Sequence, residues 1–189
     1  VFLSERFNYK DAAVMAGVAG AVSTKPGIVN AATNHATRHP VVTATMAATM
    51  NRLTNGRYAL GLGRGFDMLF DLLGVPRITK AQLVDAIEIY RKLWRGEKFA
   101  HDGPAGKYPY LFTMGDAVER IPVLMVAIGP KSMQLAGRIA DAVVLHTFMS
   151  DEAVARSVAS IRRAAEEAGR DPDAVRVWAC TAVVEDSIP

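Results

Sequence analysis

The sequence lacks several features that would by themselves define a class of protein. Its single cysteine, Cys180, excludes an internal disulfide and a cysteine metal cluster, which suits a reducing cytoplasm. No apolar run reaches the roughly 18 to 20 residues of a membrane helix, and the first residues show no signal-peptide pattern. We therefore expect a cytoplasmic protein with no membrane partner.

Acidic and basic residues are also nearly balanced in number. The formal net charge is only +3, and lysine and arginine are spread along the chain, so the composition disfavours a nucleic-acid partner. No carboxylate cluster accompanies the histidines, and none of them has metal-binding spacing such as H-E-x-x-H: His35, His39, His101 and His146. We predict no metal site, and a small organic molecule as the partner.

The apolar residues, half of the 189, are arranged in alternating strand-like and helix-like segments. Six predicted strands lie in residues 1–4, 28–32, 57–65, 121–128, 142–145 and 175–184, with five helical connections between them. One helix is predicted to bury Val42, Met46, Met50 and Leu53. A longer one begins at the capping box Thr79–Gln82 and is predicted to bury Leu83, Ile87, Tyr90 and Trp94.

This alternation predicts an α/β fold with parallel strands and right-handed crossovers. Two architectures satisfy it: an open doubly wound sheet, or part of a (β/α)8 barrel. The chain is shorter than the about 250 residues of a typical complete barrel. Residues from about 97 to 114 carry prolines, glycines and aromatics, which indicates a loop or small hairpin inserted into the alternation.

The most informative segment is Gly61-Leu62-Gly63-Arg64-Gly65, at the end of a predicted strand. In parallel α/β proteins ligands bind at the carboxyl ends of strands. Gly63 and Gly65 would allow close backbone approach, and Arg64 would add a cation for a ring edge or a phosphate. The alternative is an ordinary strand end with a solvated arginine. The spacing does not fit G-x-G-x-x-G, which disfavours a Rossmann site.

Polar or helix-start residues follow other predicted strands. In Ile128-Gly129-Pro130-Lys131-Ser132, free N–H groups at a helix start and the Lys131 charge would hold a phosphate; a helix start capped by Ser132 is the alternative. His35 and His146 are candidate proton donors or acceptors, and Glu5 is a candidate for orienting substrate or coenzyme. The alternative for the two histidines is an ordinary polar loop residue, and the alternative for Glu5 is an exposed ion pair.

Several segments occur in a familiar order: Arg38-His39-Pro40-Val41, Leu60-Gly61-Leu62-Gly63-Arg64-Gly65, Tyr90-Arg91-Lys92-Leu93-Trp94 and Gly129-Pro130-Lys131-Ser132. Over nearly the whole chain, they resemble the bacterial luciferase-like monooxygenase superfamily. Within it, Phe2-Leu3-Ser4-Glu5-Arg6 and the glycine-rich strand end look most similar to the actinobacterial oxidoreductases that use the deazaflavin coenzyme F420.

The resemblance implies a (β/α)8 TIM barrel, here incomplete. Residues 1–189 would form a single barrel domain with the insertion at about 97–114, and the N-terminal strand and the C-terminal units would be absent. In this family the third strand ends in a non-prolyl cis peptide that presses on the cofactor ring. Spacing from Pro40 puts this peptide near Asn30-Ala31, with Thr33 facing the ring.

The resemblance also implies a site and its cofactor. The expected cofactor is coenzyme F420, with FMN as the alternative, and the expected assembly is a homodimer. The predicted cofactor-binding residues are Asn30, Ala31, Thr33, Gly63, Arg64, Gly65, Ile128, Gly129, Pro130, Lys131 and Ser132. The predicted catalytic residues are His35, Glu5 and His146.

Two positions depart from the F420-dependent pattern. Glu5-Arg6 stands where some relatives have an acidic residue and a histidine, and Phe66 stands where some have a catalytic glutamate. The proton-transfer residue of those relatives therefore does not carry over. We expect an oxidoreductase that transfers hydride between F420 and an unidentified organic substrate. The alternatives are an FMN-dependent luciferase-like monooxygenase, or a non-catalytic flavin-binding or heterodimer subunit of the same fold.

Overall fold

The structure, a computed structural model, describes residues 1–118 and 120–181. It contains two compact units, Val1–Val123 and Leu124–Pro189. Each unit has parallel strands joined by helices, as the alternation predicted. Among the helices of the described residues, none combines the length and hydrophobicity needed to span a bilayer.

The first unit is built on the parallel strand order β1–β2–β3, in which Phe2 pairs with Val29 and Ile28 pairs with Tyr58. Its elements are β1 (Phe2–Leu3), α1 (Ala12–Val22), β2 (Ile28–Asn30), α2 (Pro40–Leu53), β3 (Tyr58–Leu62), α3 (Asp67–Leu72), α4 (Lys80–Trp94), β4 (Phe99–Gly103) and β5 (Gly106–Leu111). Because the three strands run in one direction, the segments that follow them leave the same edge of the sheet.

Helix α4 is the helix that the sequence predicted best. Thr79 and Gln82 form a reciprocal capping box at its start, and the predicted stripe of Leu83, Ile87, Tyr90 and Trp94 is buried. The Trp94 indole donates a 3.0 Å hydrogen bond to the carbonyl of Ala44 on α2. The amphipathic period and the cap therefore determine both where this helix begins and which face it buries.

The predicted buried face of α2 is confirmed at Met50 and wrong at Val42 and Leu53. Val42 and Leu53 are 53% and 70% exposed, whereas the buried residues of this helix are Pro40, Thr43, Ala44, Ala47 and Met50. The small side chains of Ala44 and Ala47 let α2 approach its neighbours closely, so close packing, and not the largest apolar side chains, selects the inward face.

The predicted insertion is an antiparallel hairpin, β4–β5. The His101 ring is held on α4, with its Nε2 2.9 Å from Oδ2 of Asp85. The same carboxylate oxygen accepts a 2.8 Å bond from the amide of Ala105 at the hairpin turn. Asp85 therefore fixes the hairpin to the first turns of α4.

The second unit has the parallel strand order β6–β7–β8. Its elements are β6 (Val123–Ala127), α5 (Pro130–Ile139), β7 (Ala142–Leu145), α6 (Asp151–Glu167), a short 3₁₀ turn (Pro172–Ala174) and β8 (Arg176–Trp178). The predicted last strand, 175–184, is only three residues long, because residues 175 and 179–181 are not part of β8; residues 182–184 lie outside the described residues. The expectation that residues 1–189 form one domain stays a prediction.

Candidate active site at the strand ends

The carboxylate of Glu5 lies just beyond β1, with its side chain only 2% exposed. One oxygen, Oε1, accepts a 2.6 Å bond from Nη2 of Arg38. The other, Oε2, accepts a bond from the Thr33 hydroxyl and a 3.2 Å bond from Nη1 of Arg38. Both oxygens are thus engaged, which suits an anion that orients its neighbours. The predicted catalytic role of Glu5 stays a prediction.

Arg38 joins two acidic side chains. Besides Glu5, it donates to Oδ2 of Asp11 at 2.5 Å, and its own side chain is 16% exposed. The hydrogen bond to Glu5 raises the pKa of Arg38 above its usual value. Although burial opposes it, the amide of Val14 and the Arg38 guanidinium lower the pKa of Asp11. Arg38 and Asp11 are therefore both ionised near neutral pH.

Arg38 and Asp11 were not among the predicted site residues. Arg38 occurs in one of the segments that carry the family resemblance, directly before the first turn of α2. Its position in a loop that follows a predicted strand was the available signal. Nothing in the local pattern indicated Asp11, which also caps the start of α1 by accepting from the amide of Val14.

A non-prolyl cis peptide joins Ala31 to Ala32, one bond beyond the predicted position near Asn30-Ala31. Strand β3 passes very close to this segment, since a Cβ on Gly61 would stand 1.8 Å from the carbonyl oxygen of Asn30. Pairing resumes directly afterwards, because Thr33 donates its amide to Gly61 and accepts from the amide of Gly63. Only glycine fits at position 61.

Thr33 lies beside the cis peptide and is 2% exposed. Its hydroxyl donates to Glu5 and accepts a 3.1 Å bond from Nη1 of Arg38. That hydroxyl is therefore committed to the ion pair, and the predicted contact of Thr33 with a cofactor ring stays a prediction.

Asn30 ends β2 and is fully buried. Neither Oδ1 nor Nδ2 of its amide has a hydrogen-bond partner in the part of the chain that the structure describes. A buried polar group without a partner costs about 1–3 kcal/mol, so such groups are rare and point to binding sites. The amide is suited to the polar edge of a heterocyclic ligand.

The last three residues of the glycine-rich segment, 63–65, directly follow β3 in the chain. A Cβ on Gly63 would stand 3.1 Å from the Cβ of Ala32, so this strand end lies against the cis peptide. Gly65 has a φ of +75°, and a Cβ there would collide with the ring of Phe70. Arg64 donates from Nε to the carbonyl of Ile78 at 2.7 Å, which fixes its partly exposed guanidinium on the connection to α4.

His35 lies in the loop after β2, the strand that Asn30 ends, and is half-buried. Burial lowers the pKa of His35 below its usual value, against the opposing effects of its own backbone and the charge of Asp85. The imidazole is therefore neutral at pH 7, the form in which one ring nitrogen accepts a proton. Its predicted role in proton transfer stays a prediction.

The second unit carries the remaining predicted residues. Gly129 is the N-cap of α5, and its carbonyl accepts from the amide of Ser132 at 2.9 Å. Ser132 is thus inside the first turn and does not cap the helix, while Lys131 is exposed. His146 follows β7, is exposed, and has Nδ1 2.9 Å from the carbonyl of Thr147. Since β6 and β7 are parallel, these residues lie at one edge of their sheet.

No group of three or more His, Cys, Asp or Glu side chains among residues 1–118 and 120–181 is placed to hold a metal ion. The catalytic and cofactor-binding assignments made from the sequence stay predictions. The structure brings Glu5, Asn30, Thr33, Gly63 and the cis peptide together within the first unit.

Comparison with known proteins identifies relatives along almost the entire chain. The family model described as luciferase-like monooxygenase matches residues 1–187. The 5,10-methylenetetrahydromethanopterin reductase of Methanolobus tindarius is 32% identical over 197 residues, which cover 99% of this chain and 58% of that protein. The phthiodiolone/phenolphthiodiolone dimycocerosates ketoreductase of Mycobacterium tuberculosis H37Rv is 30% identical, over 94% of this chain and 48% of its own length. The chain thus spans about half the length of these relatives.

Solved structures share the fold. The coenzyme F420 dependent tetrahydromethanopterin reductase of Methanopyrus kandleri matches with a TM-score of 0.80 and 24% identity, over 96% of this chain and 57% of that one. An F420-dependent secondary alcohol dehydrogenase matches with a TM-score of 0.83 and 21% identity, over 95% of this chain and 58% of that one. An FMN complex of the oxygenating constituent of 3,6-diketocamphane monooxygenase from Pseudomonas putida matches with a TM-score of 0.76 and 22% identity, over 93% of this chain and 55% of that one. The predicted luciferase-like TIM-barrel fold is confirmed.

Proposed function

The chain belongs to the luciferase-like monooxygenase family, and we propose that it is an oxidoreductase that transfers hydride between coenzyme F420 and a small organic substrate. Two solved structures of the same fold are of F420-dependent enzymes, a reductase and a secondary alcohol dehydrogenase. The relatives from Methanolobus and Mycobacterium are named as reductases. Three of these four names describe a reductase and the fourth a dehydrogenase, so all four describe a redox reaction.

The observation that carries the proposal is the side-chain amide of Asn30, which lies beside the cis peptide Ala31–Ala32 and has no hydrogen-bond partner among the described residues. A deazaflavin or flavin ring has a heterocyclic edge with both donors and acceptors, and a carboxamide offers one of each. Gly63 leaves the space beside Ala32 free of a side chain. The residues present therefore fit a flat heterocycle against the carboxyl ends of β2 and β3.

Bound F420 would supply the hydride chemistry, and the chain would supply binding, orientation and electrostatics. Asn30 would bind the polar edge of the ring, and Arg64 would bind the coenzyme's phosphate or glutamyl tail with a guanidinium that Ile78 already holds in place. The neutral imidazole of His35 would accept or return a proton. The Glu5–Arg38 pair would keep the Thr33 loop in position.

The second candidate is an FMN-dependent monooxygenase. The family name and the FMN complex of the diketocamphane enzyme favour it. A non-catalytic, flavin-binding subunit of a heterodimer is the third, and a homodimer stays a prediction for this chain. Each would use the same strand ends, so the identity of the bound cofactor distinguishes the first two candidates.

The test is a pair of absorbance titrations of the purified protein, one with F420 and one with FMN. Saturable binding of F420 in preference to FMN supports the proposal, and a preference for FMN supports the monooxygenase. Absence of binding by both cofactors would refute both. Tight F420 binding without hydride transfer from reduced F420 to a panel of ketones, aldehydes and imines would favour the non-catalytic subunit.

A further inference from the structure

A cavity of about 410 Å³ opens within the first unit, next to the loop that follows the cis peptide. Residues of that loop, the connection between α3 and α4, the first turn of α4 and the hairpin turn all line it. None of the residues predicted for ring binding lines this cavity. Arg38 contributes to its wall and also binds Glu5, so the cavity adjoins the candidate active site.

Two residues of the cavity wall have unsatisfied polar atoms. Nε2 of His35 and Oγ1 of Thr37 are both buried, and neither has a hydrogen-bond partner within the described ranges of the chain. Both belong to the loop between β2 and α2. Buried polar atoms without a partner are rare, and their presence in two residues of the cavity wall favours a polar ligand in this cavity.

Other residues of the wall present hydrogen-bond donors. Nδ1 of His39 accepts from the amide of Val41, so in the neutral ring Nε2 carries the proton. The Gln82 carbonyl oxygen accepts from the Thr79 amide, which leaves the Gln82 NH₂ group as a donor. Arg77 uses Nε and Nη2 for Asp71, and Nη1 is the remaining donor nitrogen of its guanidinium.

Two helix starts reinforce this donor character. His39 is the N-cap of α2, and Gln82 belongs to the first turn of α4, so the positive ends of two helix dipoles meet at the cavity. The nearby carboxylates already have hydrogen-bond partners. Asp85 interacts with His101 and the Ala105 amide, and Asp71 accepts from Arg77. An acceptor-rich group is therefore the ligand that this wall fits.

We infer that this cavity binds an oxyanion, a carboxylate or phosphate group of the molecule that reacts at the adjacent strand ends. The reaction at the strand ends rests on the proposed function. The binding of an oxyanion rests on the residues of the cavity alone. The group belongs either to the tail of the coenzyme or to the substrate. The loop that carries His35, Thr37 and Arg38 would connect oxyanion binding to the Glu5 ion pair.

The probe for the test is inorganic phosphate, titrated into the purified protein and followed by calorimetry and by the ring NMR signals of His35 and His39. Thr37→Val removes the unsatisfied hydroxyl, and Thr49→Val makes the same change at an exposed position of α2. Arg77→Gln breaks an exposed ion pair at the cavity, and Arg95→Gln breaks the similarly exposed Arg95–Glu97 pair outside it.

We expect Thr37→Val and Arg77→Gln each to weaken phosphate binding about tenfold, the usual effect of losing one hydrogen bond to a charged group. The control variants should bind phosphate as the wild type does. The inference is overturned if phosphate does not bind, if the His35 and His39 signals do not move, or if the cavity variants bind it as tightly as the controls.

A second arm identifies the source of the oxyanion. If saturating F420 blocks phosphate and the deazaflavin riboside without phosphate or tail does not, the cavity holds the coenzyme tail. If phosphate still binds beside F420, the cavity serves the substrate. Displacement of phosphate by the riboside alone would refute the inference. Failure of F420 to bind, with phosphate binding intact, would refute the proposed function and leave the oxyanion site standing.

Discussion

Glu5 and Arg38 meet at the carboxyl ends of two neighbouring parallel strands, with 2.6 Å between Oε1 of the acid and Nη2 of the guanidinium. Thirty-three positions separate them in the sequence, and the pairing of Leu3 with Asn30 in the sheet brings their segments together. The pair holds the loop that contains Thr33, and that loop carries both the candidate site and the cavity beside it.

Removing the Glu5 charge should destabilise the first unit. In Glu5→Gln the nearly buried position keeps its shape but loses the anion that two nitrogens of Arg38 contact, and Asp11 compensates only in part. We expect a loss of about 1–3 kcal/mol in the free energy of unfolding, measured by urea denaturation. Glu97→Gln, which breaks an exposed pair with Arg95, should change it by less than about 0.5 kcal/mol.

Substitution at Gly61 tests the close approach of β3 to the cis peptide segment. In Gly61→Ala the new methyl group would stand 1.8 Å from the Asn30 carbonyl oxygen, which is backbone and cannot rotate away. We expect several kcal/mol of destabilisation or failure to fold, of the order of an overpacked core. Gly17→Ala on α1, where a Cβ meets nothing within 4 Å, should be neutral or stabilising by about 1 kcal/mol. Equal thermal stabilities of the two variants would contradict the structure.

The pH dependence of stability tests the burial of His35. Because its pKa is lowered in the folded protein, the unfolded chain binds more protons between the folded pKa and the usual value of 6.5. Stability should therefore fall as the pH drops below 6.5 through that window. His35→Gln should flatten this dependence in denaturation measured from pH 7.5 down to about 5, and His146→Gln, at an exposed site, should not. If the stability of the wild type and of His35→Gln changes with pH at the same slope, His35 is not buried as described.

The elements that follow local rules could be predicted from the sequence. Helix α4 has a capping box and an amphipathic period, and its start and buried face were both correct. For α2, whose apolar residues lie on more than one face, the packing of Ala44 and Ala47 decided which side is buried, and that depends on the neighbouring elements.

The site was predictable only in outline. The order of strands and glycines, with the family resemblance, located the cis peptide to within one bond. The partners of Glu5, the missing partners of the Asn30 amide and the cavity at Thr37 arise from contacts between distant segments. No local pattern encodes such contacts, because they depend on strand register and on how the hairpin packs on α4.

The most direct test of the proposed site is F420 binding to wild-type protein and to Asn30→Leu, followed by absorbance titration and thermal unfolding. The variant replaces a buried amide, which has no partner within residues 1–118 and 120–181, by an apolar group of similar size, so the free protein should unfold at the same or a higher temperature. Its F420 affinity should fall about tenfold or more, while Asn8→Leu, at an exposed position, should bind F420 as the wild type does. Wild-type protein that does not bind F420, or an Asn30→Leu variant that binds it as tightly, would contradict the proposed site.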